Sequence, residues 1–153
     1  LRMSSAHSKY NKLLGYQAPT GYKFAGGKSV WVPDADEGFK RAEVTGTEGD
    51  NLKLKFGDGG EKKLPEKKTL PANPGKFDGV ADCAELSHLN NATVFHNLRV
   101  RYSEDLIHTS SGLFLVVVNP YKWIPIYTPE IIEIYRGKRR AEIQPNTRST
   151  PYQ

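Results

Sequence analysis

Asn119-Pro120-Tyr121-Lys122, closely followed by Pro125-Ile126-Tyr127, places an amide, a flat ring, an ammonium group and a phenol within one short stretch. Asn119 offers both a donor and an acceptor. Tyr127 carries a hydroxyl that can accept from an exocyclic amine, and Pro120 presents an apolar face for a purine ring. The stretch follows the apolar run Leu113 to Val118, which reads as a buried strand, and ligands gather at the ends of such strands. The same residues also make a strand-ending Asn-Pro turn, and at this level both readings stand.

Other candidate chemistry is thinner. Gly21 to Ser29 resembles a phosphate-binding loop, but five residues separate the first glycine from Gly27-Lys28-Ser29 where four are needed. The strand-like Val30-Trp31-Val32 follows it instead of a helix, so it is expected to be a turn. His7, His88, His96 and His108 share neither a helical face nor a metal-ligand spacing with Cys83. Ser110-Ser111-Gly112 lacks the Gly-x-Ser-x-Gly context of a nucleophile elbow. No catalytic residue and no metal ligand is therefore expected.

The elements that must position these residues begin at Lys28. Residues 1–27 carry no sustained period and hold Gly15, Pro19, Gly21, Gly26 and Gly27, as a mobile arm would. Strands are expected at Val30-Trp31-Val32, from Phe39 to Val44, and at Leu52 to Phe56, where alternation puts Leu52, Leu54 and Phe56 on one face and Lys53 and Lys55 in water. Turns are expected at Pro33-Asp34 through Gly38, from Gly46 to Asp50, and at Gly57-Asp58-Gly59-Gly60. Four or five short strands over 28–72 cannot bury both faces of a flat sheet, so closure into an SH3-like barrel is expected. Pro71-Ala72-Asn73-Pro74-Gly75 reads as a linker.

After residue 73 the pattern changes. Asn90 or Asn91 can cap an amphipathic helix over Ala92 to Tyr102, with Val94 and Leu98 on one face and Phe95 and Tyr102 on an adjoining one. Leu106 to Thr109 and Leu113 to Val118 then read as a β-hairpin turning at Ser110-Ser111-Gly112, the second strand apolar on both faces. Thr128 caps a helix from Pro129 to Arg136, and Gly137 stops it. Beyond Ala141 a frayed end is expected. The fold class is mixed: a small all-β barrel, then an incomplete α/β segment of helix, hairpin and helix, too small to cover its own buried strand.

With 153 residues, 37% of them hydrophobic, the chain can hold a small barrel plus part of something larger. Its longest apolar run falls short of the ~18 residues a membrane-spanning helix needs, the N-terminus has no signal-peptide core, and Cys83 is the sole cysteine. A cytosolic protein is expected, with no membrane partner. The net charge of +5 lies in scattered pairs and one triplet, Lys138-Arg139-Arg140, without interleaved aromatics, so no nucleic-acid partner is expected.

Along its second half the chain resembles the heavy chain of conventional, class II myosins. The resemblance runs through Asn73-Pro74, Lys76 to Val80, Ala84-Glu85-Leu86, Leu89 to Tyr102, Leu106 to Thr109, Ser111 to Phe114, Val116 to Lys122, Pro125 to Thr128 and Tyr135 to Arg140. Val30 to Asp34, Gly38-Phe39 and Glu43-Val44 are similar to the family's SH3-like barrel. The resemblance implies an ATP-dependent actin-filament motor whose start spans 73–153. It also implies an adenine pocket containing Asn119, Pro120 and Tyr127, with Tyr121 beside them and Lys122 near the ribose. Ser110, Trp123 and the stretch from Gln144 depart from the family pattern, Trp123 at a position that bears on nucleotide contacts. ATP and Mg²⁺, actin filaments, light chains and homodimerisation are implied for the intact protein. The phosphate-binding loop and the Mg²⁺ ligands are expected beyond Gln153, so this chain alone is expected to be inactive. Two alternatives are a free-standing SH3-like binding module with a C-terminal extension, and a chromatin reader with a cage of Trp31, Phe39 and Phe56; the alternation assigns those aromatics to the core.

Overall fold

The computed structural model describes residues 28–139 and 142. The expected arm over 1–27, most of the phosphate-loop lookalike and, Glu142 apart, the expected frayed end lie outside the described residues. Two compact units emerge, one from 28–78 with 86–96 and the other from 79–85 with the residues from 97 on.

In the first unit, β1 (Ser29–Asp34), β2 (Gly38–Glu48), β3 (Asn51–Phe56), β4 (Glu61–Pro65) and β5 (Leu70–Pro71) form an antiparallel sheet in the order β4-β3-β2-β1-β5. The alternation in β3 behaves as expected. Leu52 and Leu54 are buried with Val30, Val32 and Ala42, and Phe56 packs against that cluster, while Lys53 and Lys55 are exposed. Strand β1 is buried on both sides. Trp31 forms a second cluster with Ala72 and Ala92, flanked by Phe39 and Leu70. Trp31 and Phe56 thus serve separate cores, and no aromatic cage forms.

Two expectations in this unit are corrected. Strand β2 runs through to Glu48, because Gly46, Thr47 and Glu48 pair with Lys53, Leu52 and Asn51 across a bulge after Val44. The turn shrinks to Gly49-Asp50, with Gly49 at φ +59°. The Pro71 to Gly75 stretch is not a free linker. Pro71 sits on an edge strand, where a missing N–H is tolerated, and Asn73 is buried. Its side chain donates to the His88 carbonyl (3.1 Å) and accepts from the His88 N–H (2.7 Å), while Arg41 donates to its carbonyl (2.6 Å).

Helix α1 (Asn91–Ser103) gives its first residues to this unit and the rest to the second. Asn90 is its cap: Asn90 Oδ1 accepts from the Thr93 N–H, and Thr93 Oγ1 accepts from the Asn90 N–H, closing a reciprocal box. The expected apolar face is only half-buried at Val94 and Leu98, and Phe95 is exposed. Apart from Ala92, what the helix buries is Thr93, Asn97 and Arg101, spaced four apart. These polar groups go inside because loop carbonyls meet them. Thr93 donates to the His88 carbonyl, and Asn97 to that of Val80. Arg101, 4% exposed, donates to Thr109 Oγ1 (2.9 Å) and to the Gly79 and His108 carbonyls (3.1 and 2.8 Å).

In the second unit, β6 (His108–Ser111) and β7 (Phe114–Val117) form the expected hairpin. Its turn is shifted. Ser110 and Ser111 pair with Leu115 and Phe114, so the turn is Gly112-Leu113, with Gly112 at φ +57° as the first central residue. Among the described residues nothing sheathes the apolar ribbon: Leu113 is 93% exposed, Phe114 78%, and Leu115 and Val117 more than half. Helix α2 (Pro129–Tyr135) begins at Thr128, whose hydroxyl accepts from the Ile131 N–H, and ends before Gly137 at φ +72°. No helix among the described residues is long and apolar enough to cross a membrane.

Candidate nucleotide-base site

At the end of β7 the chain folds into an open groove of about 460 Å³. Ile107 and Val117 line it from the hairpin, Asn119, Pro120 and Lys122 from the segment after β7, and Trp123 and Tyr127 from the approach to α2. The volume falls in the range of small-molecule pockets. Trp123 and Tyr127 are strongly exposed, so the groove is walled on this side and open on the other.

Local chemistry shapes each wall. The Val118 N–H donates to the Ile107 carbonyl, carrying the ladder one step past β7. Asn119 Oδ1 then accepts from the Tyr121 N–H at 3.0 Å, an Asx turn that reverses the chain. Tyr121 takes φ +48° there and is 92% exposed, turned out of the groove that its neighbours line. The Pro120 carbonyl accepts from the Tyr102 hydroxyl at the end of α1, which ties the turn to the helix. Lys122 is held by an ion pair with Asp105. Between Ile124 and Ile126 a tight turn forms, the Ile126 N–H donating to the Ile124 carbonyl.

Tyr127 adds a phenol to the groove wall. Its hydroxyl lies 3.3 Å from His108 Nε2, and the two rings meet edge to face at 6.3 Å. Beyond it, the Thr128 hydroxyl holds the Glu130 carboxyl below its ordinary value. Of the residues singled out in the sequence, four share the groove and Tyr121 does not. Sequence reasoning missed Tyr102, Asp105, Ile107, His108 and Val117. The hairpin register brings His108 opposite Val117. Only that pairing, invisible to spacing along the chain, could have pointed to His108.

Asn119, Pro120, Lys122 and Tyr127 therefore line one open groove, and their groups could meet the face and edge of a heteroaromatic base. Residues 20–73 match the family described as the myosin N-terminal SH3-like domain, and residues 80–149 match the myosin head, or motor domain. The chain belongs to the myosin family. It is 50% identical over 145 residues to the non-muscle myosin-2 heavy chain of Acanthamoeba castellanii, an alignment covering 91% of this chain and 10% of that relative. Similarity to a myosin-2 chain agrees with class II. The strands of the first unit are accordingly the SH3-like domain of a myosin, and helix, hairpin and helix are part of its motor segment. The chain spans about a tenth of the relative it matches.

Proposed function

We propose that this chain is the N-terminal portion of a class II myosin heavy chain, an ATP-dependent actin-filament motor, and that it supplies the adenine-binding wall of the ATP site. The observation that carries the reading is the shared groove: Asn119, Pro120, Lys122 and Tyr127 line one slot of about 460 Å³ at the end of an apolar strand. In this reading 28–72 is the barrel and 73–153 the start of the motor, although 73–78 and 86–96 pack with the barrel.

The roles follow from the chemistry present. Pro120 offers an apolar surface to the purine plane. Tyr127 accepts from the exocyclic amine, and Lys122, steadied by Asp105, lies toward the ribose. In this reading Mg²⁺ and the phosphates are held by other segments of the motor. There Mg²⁺ supplies charge neutralisation for phosphoryl transfer. Actin filaments, light chains and homodimerisation, in the cytoplasmic actomyosin cytoskeleton, complete the proposal for the intact protein.

The test uses the complete heavy chain carrying Tyr127→Phe, with kcat/KM measured for ATP and for inosine triphosphate, which has an oxo group in place of the amine. Loss of the hydroxyl should reduce the preference for ATP about five- to tenfold, the worth of one hydrogen bond. An unchanged preference would refute the base-wall assignment.

A further inference from the structure

A hydroxyl that accepts a hydrogen bond from an amine still has its own proton to place. Tyr127 Oη has one proton and two lone pairs. The nitrogen beside it is His108 Nε2, at 3.3 Å, on a ring held edge to face with the phenol. His108 is itself fixed. It opens β6 opposite Val117, and Arg101, buried and charged, donates to its carbonyl at 2.8 Å. The same guanidinium donates to Thr109 Oγ1, so both residues at the start of the strand are clamped from one side chain.

We propose that His108 is a positioning residue that sets base specificity by taking the Tyr127 hydroxyl proton on Nε2. This rests on the base-wall reading and deepens it. With its proton committed to His108, Tyr127 Oη presents only lone pairs to the groove. A 6-amino purine donates to them, whereas a 6-oxo purine brings a second set of lone pairs against them and is rejected. Without His108 the proton turns toward the groove, and a 6-oxo base gains a donor. The histidine thus converts an ambivalent hydroxyl into a one-way acceptor.

The experiment compares kcat/KM for ATP and inosine triphosphate in the complete heavy chain with Tyr127→Phe, His108→Phe, His108→Gln, and the double variant. Phenylalanine at 108 keeps a ring edge against Tyr127 and removes the acceptor, while glutamine keeps an acceptor carbonyl. His108→Phe should raise kcat/KM for inosine triphosphate about fivefold relative to ATP, a gain that structural damage would not give. His108→Gln should stay within about twofold of the parent ratio, and His108→Phe should have no effect once Tyr127 is phenylalanine. If Tyr127→Phe shifts the preference and His108→Phe does not, the base wall survives and the proton-acceptor role is overturned. A parallel fall for both nucleotides in both His108 variants overturns it as well, as mere packing. If Tyr127→Phe leaves the preference untouched, the base-wall reading itself fails.

Discussion

Arg101 and Tyr127 are both governed by where their protons point. Arg101 is buried with donors aimed at two carbonyls and a hydroxyl, and burial pulls its guanidinium below its ordinary value without discharging it. Replacing it with methionine fills the volume but strands the Gly79 and His108 carbonyls. We expect Arg101→Met to cost about 2–4 kcal/mol in urea unfolding. Arg101→Lys should recover less than half of that, because one ammonium cannot span the three acceptors of a planar fork. Equal stability of the parent and Arg101→Met would mean the fork contributes nothing net. At this scale the sequence was partly legible. Functional group singles out Asn119, Pro120 and Tyr127, and these line the groove together with Lys122, whereas adjacency says nothing of φ, and Tyr121 at +48° stands outside it. The contacts of His108 with Tyr127 and of Asp105 with Lys122 are not legible along the chain, because they exist only once the hairpin and helix end are folded.

Elements read well where one period dominates. The alternation of Leu52, Lys53, Leu54, Lys55 and Phe56 fixes which face of β3 is inside, since a one-residue slip would bury two lysines. Helix α1 read poorly for the converse reason: its buried stripe of Thr93, Asn97 and Arg101 is polar, and only the carbonyls it meets reveal why. The turns before Gly38 and at Gly57 to Gly60 lie where the sequence puts them, but those after β2 and in the hairpin lie up to three residues away, because a glycine marks a turn without saying on which side of it the ladder resumes. The hairpin gives this a measurable form. Gly112 sits at φ +57° with open space where a Cβ would lie, so Gly112→Ala adds no clash and isolates backbone strain. The expected cost is about 1–2 kcal/mol. It should appear as faster amide exchange at Ser110, whose N–H donates to the Ala81 carbonyl, with the β1–β3 amides unaffected. Unaltered exchange at Ser110 would show that the hairpin does not depend on that turn geometry.

At the scale of the whole molecule, the two units differ in how completely they finish their surfaces. The sheet unit buries Val30, Val32, Leu52 and Leu54 on one side of β1 and Trp31 on the other. The hairpin of the second unit leaves Leu113, Phe114, Leu115 and Val117 in water, and Trp123 and Tyr127 flank a groove walled on one side. That asymmetry determines how tightly this chain can hold a nucleotide by itself. In the proposed site, burying one face of a purine on Pro120 and adding one hydrogen bond at Tyr127 must offset the lost freedom of the ligand. Among the described residues the one ammonium lining the groove, Lys122, is already paired with Asp105, so a triphosphate finds little charge to meet it. We therefore expect isothermal titration of MgATP into the 153-residue chain to give a Kd above about 1 mM, weaker than about 4 kcal/mol of binding. Adenosine should bind no more weakly than MgATP, because the phosphates contribute nothing here. A submillimolar Kd for MgATP, with adenosine much weaker, would place phosphate-binding groups within this chain and contradict the division of labour between base wall and phosphate loop.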